Sequence, residues 1–324
     1  MLSDTIAYMK LVVQIPCLNE EETLPLVLGT IPKKIDGIGE IVILVIDDGS
    51  TDKTVEIARK HGVKHFVHHP GRRGLGRSFQ DGISRALELG ADIVVNTDGD
   101  NQYPQARIGD LVQPILHGKA DIVVADRQTH TIDHFSPFKK FLQRLGSNIV
   151  NMAASTDIPD AASGFRAYSR EAIFKLNPTT SFSYCMETII QAGNKGLAIT
   201  SIPITVNAKT RESRLFNSTS EHVYKSASAI VRAFIMYRPY VIFVSLGVVL
   251  FLIGAIPFVR YAYFALKHEP GSHLQSLILG SILLIGSVLS FVLGVIADLV
   301  RVNRILTEQE LELAKHIHYD KKGL

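Results

Sequence analysis

Two long stretches of the sequence contain no charged residue, and they limit the possible folds more than any other feature. They run from Tyr240 to Val259 and from Leu274 to Ala297 in a chain of 324 residues. An α-helix rises about 1.5 Å per residue, so about 20 apolar residues cross a hydrocarbon core of about 30 Å. A buried pair of core helices is the alternative, but neither stretch has the polar stripe of such helices. We therefore predict two transmembrane helices within residues 240–300, at about 240–259 and about 274–297.

Basic residues around these stretches indicate an orientation in the membrane. Four flank the outer ends and two lie in the connector: Arg232, Arg238, Arg301 and Arg304 outside, and Arg260 and Lys267 between. Because positively charged flanks stay in the cytoplasm, both termini and the N-terminal domain are predicted to be cytoplasmic. Residues 216–239 are expected to form an amphipathic segment at the membrane interface, or alternatively a surface helix of the N-terminal domain. Residues 301–324 are expected to form a cytoplasmic tail.

The first 215 residues alternate between strand-like and helix-like patterns. Short apolar runs predict strands at Leu11–Ile15, Ile41–Ile46, Lys64–Val67, Ile93–Asn96 and Ile122–Ala125. Helical patterns lie between them, and Asn19 with Glu22 predicts the capping box of a helix that continues through Val27. The alternation predicts a mainly parallel, Rossmann-like α/β domain over residues 1–215, with helices on both faces of the sheet.

Polar clusters follow three of the predicted strands. They are Pro16–Glu20, Asp47-Asp48 and Asp98-Gly99-Asp100. Ligands of such sheets bind beyond the carboxyl ends of the strands, where these clusters are expected to meet. Any one cluster can instead be a turn, since Asp, Asn and Gly are common turn residues. The occurrence of three clusters favours a binding crevice.

The segment Asn96–Gln102 contains the sharpest local signal for metal chemistry. Asp98 and Asp100 are close carboxylates that repel each other unless a cation lies between them. Mg²⁺ or Mn²⁺ accepts such oxygen ligands and can bridge to a diphosphate, and Gln102 can add a carbonyl oxygen. A calcium loop is excluded, because Tyr103 and Gly109 stand where that loop requires glycine and glutamate. We therefore predict a divalent metal held by Asp98, Asp100 and Gln102.

Several other classes of site are disfavoured by composition. A net charge of +3 is too small to indicate nucleic-acid binding. The two cysteines, Cys17 and Cys185, form no CxxC pair, so neither a disulfide framework nor a zinc site is expected. The pairs His68-His69 and His130 with His134 lack carboxylates at metal-ligand spacing. No cleaved signal peptide is evident in the first residues.

Three motifs resemble, in order and spacing, those of the family 2 glycosyltransferases with the GT-A fold. They are Val13–Glu21 (VQIPCLNEE), Val45–Asp52 (VIDDGSTD) and Asp98–Asp100 (DGD). With Asp160–Arg166 (DAASGFR) and the paired apolar stretches, the sequence resembles specifically the polyprenyl-phosphate glycosyltransferases. That group includes dolichol-phosphate mannose synthase and bacterial undecaprenyl-phosphate glycosyltransferases. The resemblance covers nearly the whole chain and implies a hexosyltransferase.

The resemblance implies a set of residues for the donor nucleotide-sugar. The family's nucleotide positions are matched by Pro16, Asn19, Glu20, Asp47, Asp48 and Gly76. Among them, Asp48 stands where the family contacts the base or ribose, and Gly76 lies in the glycine-containing turn. Arg73 departs from the asparagine that is common there. Asp98, Asp100 and Gln102 match the metal and diphosphate cluster.

A lipid phosphate needs cationic hydrogen-bond donors close to the bilayer. The residues expected to bind it, with similarity to the family as a guide, are Arg127, Lys140, Arg144, Arg166, Lys209, Arg211, Ser213 and Arg214. Lys209–Leu215 resembles the family's Gly-Glu-Ser-Lys-Leu element, although Arg211 replaces the glycine and Arg214 the lysine. A solvated surface charge is the alternative for each basic residue.

The catalytic residues are expected to be Asp98, Asp100 and Asp160. A phosphate monoester has a second pKa of about 6 and can act as its own nucleophile, so no strong base is required. Asp160 is therefore expected to position the sugar or the acceptor, and a role in proton transfer is a hypothesis.

The predicted reaction is metal-dependent, inverting transfer of a sugar from a UDP- or GDP-linked donor to a polyprenyl phosphate at the cytoplasmic face. The expected partners are this donor, the lipid acceptor and the bilayer, with homo-oligomerisation plausible. A processive polysaccharide synthase is one alternative, but its Gln-x-x-Arg-Trp motif is absent, since the chain has no tryptophan. A non-catalytic nucleotide-binding scaffold is another. A dinucleotide oxidoreductase is disfavoured, because Gly71, Gly74 and Gly76 do not have GxGxxG spacing.

Overall fold

The computed structural model describes residues 9–129, 137–179, 184–208, 228, 231, 235–267 and 274–320. The strands are β1 (Met9–Cys17), β2 (Ile38–Asp47), β3 (His65–His68), β4 (Ile93–Asn96), β5 (Ile122–Asp126), β6 (Arg166–Ser169) and β7 (Ile199–Pro203). The helices are α1 (Leu24–Thr30), α2 (Thr54–Lys60), α3 (Leu75–Glu88), α4 (Ile108–Leu116), α5 (Pro137–Ala154), α6 (Arg170–Lys175), α7 (Cys185–Asn194), α8 (Pro239–Leu266) and α9 (Leu274–Asp320).

All seven strands form one sheet in the order β3-β2-β1-β4-β6-β5-β7. Every neighbouring pair is parallel except the two that involve β6, which is antiparallel to both β4 and β5. The mainly parallel sheet is confirmed, whereas the reversed strand was not predicted. Arg166, the first residue of β6, pairs with Asn96, the last residue of β4. The segment that precedes β6 therefore lies at the edge where β1, β2 and β4 end.

The predicted strands all form, because their β-branched residues fill both faces of a sheet covered by helices. On β1, the side chains of Leu11, Val13 and Ile15 belong to a core that also contains Ile108 and Leu111 of α4. This packed base fixes the carboxyl ends of the strands and hence the loops that follow them.

The helix predicted to begin at Asn19 begins later. α1 starts at Leu24 with Thr23 as its N-cap, and no side chain caps it. Asn19 instead has a φ of +56° and accepts a hydrogen bond on Oδ1 from the backbone N–H of Thr51 at 2.8 Å. The predicted capping box of Asn19 and Glu22 is therefore wrong, because the Asn19 side chain stabilises a neighbouring loop and not its own helix.

The chain divides into two compact units. One contains Met1–Val231 and Gln309–Leu324, and the other contains Arg232–Glu308. We call the first the catalytic unit and the second the hairpin unit. Most of the predicted interfacial segment, 216–239, falls outside the described residues.

The hairpin unit contains α8 and the part of α9 up to Glu308. Both helices are long and apolar enough to cross a membrane. In the most apolar stretch of α8 only 11% is buried within the protein, and in that of α9 only 22%. Small residues lie where the two helices meet. A Cβ added to Gly280 would come within 2.8 Å of the carbonyl oxygen of Gly254, and Ser287 Oγ donates a hydrogen bond to Gly247 O at 2.8 Å. Close backbone contact of this kind is typical of helix pairs in membranes.

Both helices are longer than the predicted transmembrane stretches. α9 contains 47 residues, and its part from residue 301 to 320 continues through the charged segment predicted as a tail. Leu, Glu, Lys and Ala favour helix in that segment, and no proline or glycine interrupts it between Gly294 and Asp320. The residues from Gln309 onward belong to the catalytic unit.

Candidate active site

The loops that follow β1 and β2 are joined by hydrogen bonds. The backbone N–H of Asn19 donates to Ser50 Oγ at 2.9 Å, and that of Glu20 donates to Thr54 Oγ1 at 2.7 Å. Thr51 N returns a bond to Asn19 Oδ1. Asn19 and Glu20, both predicted at the donor site, therefore hold the two loops together. Pro16 lies in β1 opposite Ile46 of β2, directly beneath this junction.

The loop after β4 packs against the same junction. Thr23 Oγ1 lies 2.8 Å from both Glu20 Oε2 and the carbonyl oxygen of Gly99. A Cβ on Gly99 would come within 3.1 Å of Cys17 Sγ and of Glu20 Cγ, so the residue between the two aspartates packs tightly against the loop after β1. The three predicted clusters are thus brought together at one edge of the sheet.

Left-handed backbone conformations concentrate at this edge. Asn19 after β1, Asn101 after β4 and Gln128 after β5 have φ values of +56°, +58° and +48°. Residues other than glycine seldom adopt such angles, and they recur at ligand sites where surrounding structure over-determines the backbone. β1, β4 and β5 are thus each followed by a constrained turn.

Asp98 and Asp100 stand half-buried at the end of β4, with Gln102 two residues further on. Asp100 Oδ1 accepts a hydrogen bond from the backbone N–H of Gln102 at 3.1 Å. The Asp98 carboxylate lies against Gly164, since a Cβ there would be 3.4 Å from Oδ2. Burial first, and the charge of Asp98 in addition, raise the pKa of Tyr103 and Tyr184.

This donor set is compatible with a hard divalent cation, which prefers carboxylate and amide oxygens. In the part of the chain that the structure describes, no three His, Cys, Asp or Glu side chains are grouped to hold a metal. A cation between Asp98 and Asp100 would therefore need the Gln102 oxygen, or oxygens from a bound ligand, to complete its coordination.

Asn207 is a residue of this site that sequence reasoning missed. Its Nδ2 donates to the carbonyl oxygens of Asn101 at 2.9 Å and Tyr103 at 3.2 Å, and its N–H donates to Gln102 O at 2.9 Å. The residue lies over 100 positions away in sequence, just after β7. It holds the left-handed turn that carries Gln102.

The adjacent aspartates Asp47 and Asp48 each meet a histidine. Asp47 accepts the backbone N–H of Ser50 at 2.9 Å and lies 2.6 Å from His68 Nδ1. Asp48 lies 2.8 Å from His69 Nδ1. The parallel register of β2 and β3 produces these pairs, because Asp47 stands opposite His68.

The glycine-containing turn lies beside Asp48. The Asp48 carboxylate accepts the backbone N–H groups of Arg73 at 2.8 Å and Gly74 at 2.9 Å. Gly74 has a φ of +94° and is the N-cap of α3, and Gly76 is buried in the first turn of that helix. The donor roles of Asp47, Asp48 and Gly76 stay predictions, and their positions next to one another agree with a single pocket.

Asp160 and Arg127 form a bidentate ion pair. Arg127 Nε lies 2.6 Å from Asp160 Oδ2 and Nη2 lies 2.9 Å from Oδ1. Burial alone would raise the pKa of Asp160, but the charge and hydrogen bonds of Arg127 outweigh burial, so the pKa lies below its ordinary value of 3.8. Asp160 is thus an ionised, fixed carboxylate, which agrees with a positioning role and disfavours the proton-transfer hypothesis.

The structure contradicts the acceptor role predicted for Arg166. Its side chain is fully buried, and its guanidinium donates to the carbonyl oxygens of Ser163 at 2.7 Å, Cys185 at 2.7 Å and Ala161 at 2.8 Å. A fourth bond reaches Thr188 Oγ1 at 3.0 Å. Arg166 therefore ties the segment before β6 to α7 and has no access to a phosphate.

The other predicted acceptor residues divide into two groups. Lys140 and Arg144 are one turn apart on α5, half-buried and exposed respectively. Lys209, Arg211, Ser213 and Arg214 lie outside the described residues. Their roles stay predictions.

Glu187, Cys17 and Cys185 are all buried within the protein. Glu187 Oε1 accepts the backbone N–H and the hydroxyl of Thr179 at 2.9 Å and 3.0 Å, so it holds Thr179 against α7. Burial is the largest cause that raises the pKa of Cys17, followed by the charge of Glu20.

Known proteins share both the sequence pattern and the fold. The family model described as glycosyl transferase family 2 matches residues 12–176. Polyprenol monophosphomannose synthase of Mycolicibacterium smegmatis is 28% identical over 202 residues, which cover 59% of this chain and 75% of that protein. Undecaprenyl-phosphate mannosyltransferase of Micrococcus luteus is 25% identical over 218 residues, which cover 64% and 88%.

A solved structure provides a comparison of the fold. Glucosyl-3-phosphoglycerate synthase from Mycobacterium tuberculosis, crystallised with Mn²⁺, uridine diphosphate and glucosyl-3-phosphoglycerate, superposes with a TM-score of 0.52 at 23% identity. The match covers 70% of this chain and 79% of that one. The likeness confirms the GT-A-like architecture of the sheet and its helices.

Proposed function

This chain belongs to glycosyl transferase family 2, and on that premise we propose that it transfers a hexose from a UDP- or GDP-linked donor to a polyprenyl phosphate. The chain is a glycosyltransferase, and relatives named for polyprenyl-phosphate sugar transfer support the general reaction. The choice of donor, the metal and the membrane face are parts of the proposal. So is the division into a catalytic domain at 1–215, an interfacial segment at 216–239, two transmembrane helices within 240–300 and a tail at 301–324.

The interlocked loops after β1, β2 and β4 are the observation that carries the proposal. Asn19 and Glu20 join the loops after β1 and β2, and Gly99 packs the loop after β4 against them. A nucleotide bound beside Asp47 and Asp48 would therefore have its diphosphate next to Asp98 and Asp100. Such a crevice at the carboxyl ends of the strands is the usual ligand site of a sheet of this kind.

Mg²⁺ or Mn²⁺ is proposed as the cofactor, held by Asp98, Asp100 and Gln102. The half-buried carboxylates and the turn fixed by Asn207 support this assignment. The fold neighbour named above was crystallised with Mn²⁺ and uridine diphosphate, which agrees with either metal here. When bound, the cation would supply positive charge that stabilises the departing diphosphate.

We propose that α5 contributes to the binding of the lipid acceptor. Phe141, Leu145 and Met152 have exposures of 60%, 43% and 60%, and their spacing puts them on one face of the helix. Lys140 and Arg144 flank that face. An exposed apolar stripe beside basic residues is the pattern of a helix that lies on an anionic bilayer. We assign α5 to the membrane surface, where its cations would meet the phosphate of the lipid.

Two other groups would take part at the acceptor. Arg127 is held by Asp160 through Nε and Nη2, and its Nη1 group would donate to a phosphate oxygen. Lys209, Arg211, Ser213 and Arg214 remain assigned to the acceptor on the sequence pattern alone.

The proposed chemistry is direct displacement with inversion. A phosphate oxygen of the lipid would attack the anomeric carbon while the bond to the nucleoside diphosphate breaks, and the electron pair leaves with the diphosphate. The lipid phosphate is largely dianionic near neutral pH, so no side chain has to remove a proton. Asp160, ionised and held by Arg127, would orient the sugar or the acceptor.

Membrane attachment follows from α8 and α9, which are long and apolar enough to span a bilayer. We propose that both termini and the catalytic unit face the cytoplasm, because four basic residues flank the outer ends of the two apolar stretches and only two lie in the connector between them. Self-association through the hairpin unit is compatible with its exposed apolar side chains.

One assay tests the proposal. The purified full chain, in lipid nanodiscs with Mg²⁺, Mn²⁺ or EDTA, is given a panel of UDP- and GDP-sugars and a polyprenyl phosphate, and lipid-linked sugar is measured. We expect one donor class to be used and activity to require the metal. Asp98→Asn and Asp100→Asn should each lower kcat/KM by roughly 100-fold or more, which is about 2.7 kcal/mol.

Asp110→Asn, an exposed residue of α4, is the matched control and should keep wild-type activity. The proposal fails if no donor is used, or if Asp100→Asn is as active as Asp110→Asn.

A further inference from the structure

His69 occupies a buried position between two carboxylates. Its side chain is 3% exposed, with Nδ1 2.8 Å from Asp48 Oδ1 and Nε2 3.1 Å from Asp81 Oδ2. Each ring nitrogen thus lies within hydrogen-bonding distance of a carboxylate oxygen. Because each end is fixed by a hydrogen bond, the ring cannot turn without breaking one of them.

The carboxylate that His69 holds is itself the anchor of the glycine-containing turn. Asp48 accepts the backbone N–H groups of Arg73 and Gly74 at 2.8 Å and 2.9 Å. With the bond from His69, three of the roughly four acceptor positions of Asp48 are occupied. Among the described residues, the N–H of Gly74 is the one donor to Oδ2, and a ligand could use the second position of that oxygen. The direction of that position depends on the orientation that His69 and the turn impose.

The opposite side of the turn is fixed by backbone packing. A Cβ on Gly49 would lie 2.9 Å from the Cα of Gly71, so the loop after β2 and the turn before α3 touch directly. Arg72 and Arg73 are exposed at the tip of this turn. The placement of both arginines relative to Asp48 is thus set by the same contacts.

Asp81, which lies in α3, is the second carboxylate that contacts the His69 ring. Besides His69, it contacts Arg77 Nε at 3.0 Å and Arg73 Nη1 at 4.0 Å. The side chain of Asp81 thus links the helix to the turn and fixes the far end of the imidazole. None of these contacts is required by the sheet itself, because His69 lies one residue beyond β3.

We propose that His69 is a positioning residue for the donor nucleotide. Asp81 holds the His69 ring, and the ring fixes the Asp48 carboxylate and the turn at Arg73-Gly74. This inference rests on the proposed function, since it presumes that a nucleoside diphosphate binds beside Asp48. His69 does not touch the reacting atoms in this assignment. Its loss should therefore weaken donor binding and leave the chemical step and the lipid site largely intact.

The test compares His69→Leu and Asp81→Asn with wild type in steady-state kinetics on the full chain. We expect the donor KM to rise about tenfold in His69→Leu, equivalent to about 1.4 kcal/mol, and to rise by a smaller factor in Asp81→Asn. The value of kcat and the KM for polyprenyl phosphate should stay within about threefold of wild type. Titration calorimetry with UDP alone and GDP alone should give a parallel loss of affinity for the nucleotide that wild type binds.

His61→Gln is the matched control, because His61 is exposed at the end of α2 and its ring Nδ1 lies 2.9 Å from the carbonyl oxygen of Ile57. Thermal unfolding separates a folding defect from a binding defect. If His69→Leu does not fold, Asp81→Asn decides, because Asp81 lies at the surface of α3 with a side chain that is 22% exposed.

An unchanged donor KM in folded variants, or a fall in kcat alone, would overturn the role of His69. A lower thermal midpoint with an unchanged donor KM would also overturn it, since that is the result of a merely structural residue. If wild type itself neither binds UDP or GDP nor uses a sugar nucleotide, the proposed function fails instead.

Discussion

The pair of Arg127 and Asp160 illustrates how one residue sets the chemistry of its neighbour. Asp160 is 4% exposed, and a carboxylate buried to that extent would ordinarily favour its neutral form. Two guanidinium hydrogen bonds reverse this preference and keep it ionised. The positive charge of Arg127 is in turn compensated by Asp160.

Removal of this carboxylate should destabilise the protein in a pH-dependent way. Asp160→Asn leaves the guanidinium of Arg127 without its charge partner, at a cost of about 3 kcal/mol. Because the folded pKa of Asp160 lies below 3.8, the ionised carboxylate stabilises the fold above that pH, and this contribution is lost as the pH falls through the folded value. The difference in thermal midpoint between wild type and Asp160→Asn should be largest near pH 7 and shrink below about pH 4. A difference that is constant over this range would contradict the assignment.

The clustering of the acidic residues was easier to predict from the sequence than the positions of the basic ones. Asp47, Asp48, Asp98 and Asp100 follow apolar strands, and the sheet brings all strand ends together, so their clustering follows from local pattern. Arg166 belongs to an equally polar motif but faces inward. Its burial depends on α7, which no local pattern of that motif reveals. Asn207 was missed for the same reason, because its partners are distant in sequence.

At the scale of elements, the strands were predictable and their directions less so. Continuous β-branched runs identify β1, β2 and β4 without tertiary information. The reversal of β6 was not predicted, since strand direction depends on connections and not on composition. It brings the segment of Asp160 to the edge of the sheet where Asp98 and Asp100 lie.

The helical hairpin offers a direct test of packing between α8 and α9. A Cβ at Gly280 would meet Gly254 O at 2.8 Å, whereas one at Gly286 would find its nearest neighbour at 3.7 Å. We expect Gly280→Ala to lower the free energy of unfolding by about 1–3 kcal/mol through overpacking. Gly286→Ala, the matched control, should be neutral or slightly stabilising. Unfolding by sodium dodecyl sulfate, followed by far-UV circular dichroism, measures both variants, and equal midpoints would refute the close contact.

At the scale of the whole molecule, one helix belongs to both units. α9 runs through the hairpin unit, and its residues from Gln309 onward belong to the catalytic unit. The sequence predicted these residues as a tail, because a charged amphipathic segment has no local sign of its partner. In the catalytic unit they contact α6, with Arg170 Nη2 3.1 Å from Asp320 Oδ1 and the rings of Phe174 and His316 4.0 Å apart.

Lys315 is the central contact between this end of α9 and α6. Its ammonium donates to the carbonyl oxygens of Phe174 and Leu176 at 3.2 Å each and to Asn177 Oδ1 at 2.6 Å. Carbonyl groups at a helix C-terminus lack partners within the helix and carry partial negative charge, so a cation there is stabilising. Lys315 therefore caps α6 from a distant part of the chain.

Replacement of this lysine should loosen α6 selectively. Lys315→Met keeps the length of the side chain but leaves the carbonyl oxygens without their donor, at a cost of about 1–2 kcal/mol. We expect faster hydrogen exchange at residues 170–179 in mass spectrometry of the full chain, with unchanged exchange in α8. Lys119→Met, at an exposed turn after α4, is the control and should match wild type. Unaltered exchange at 170–179 in Lys315→Met would mean that α6 holds its end without α9, and that the helix shared by the two units contributes no stability to the catalytic unit at this contact.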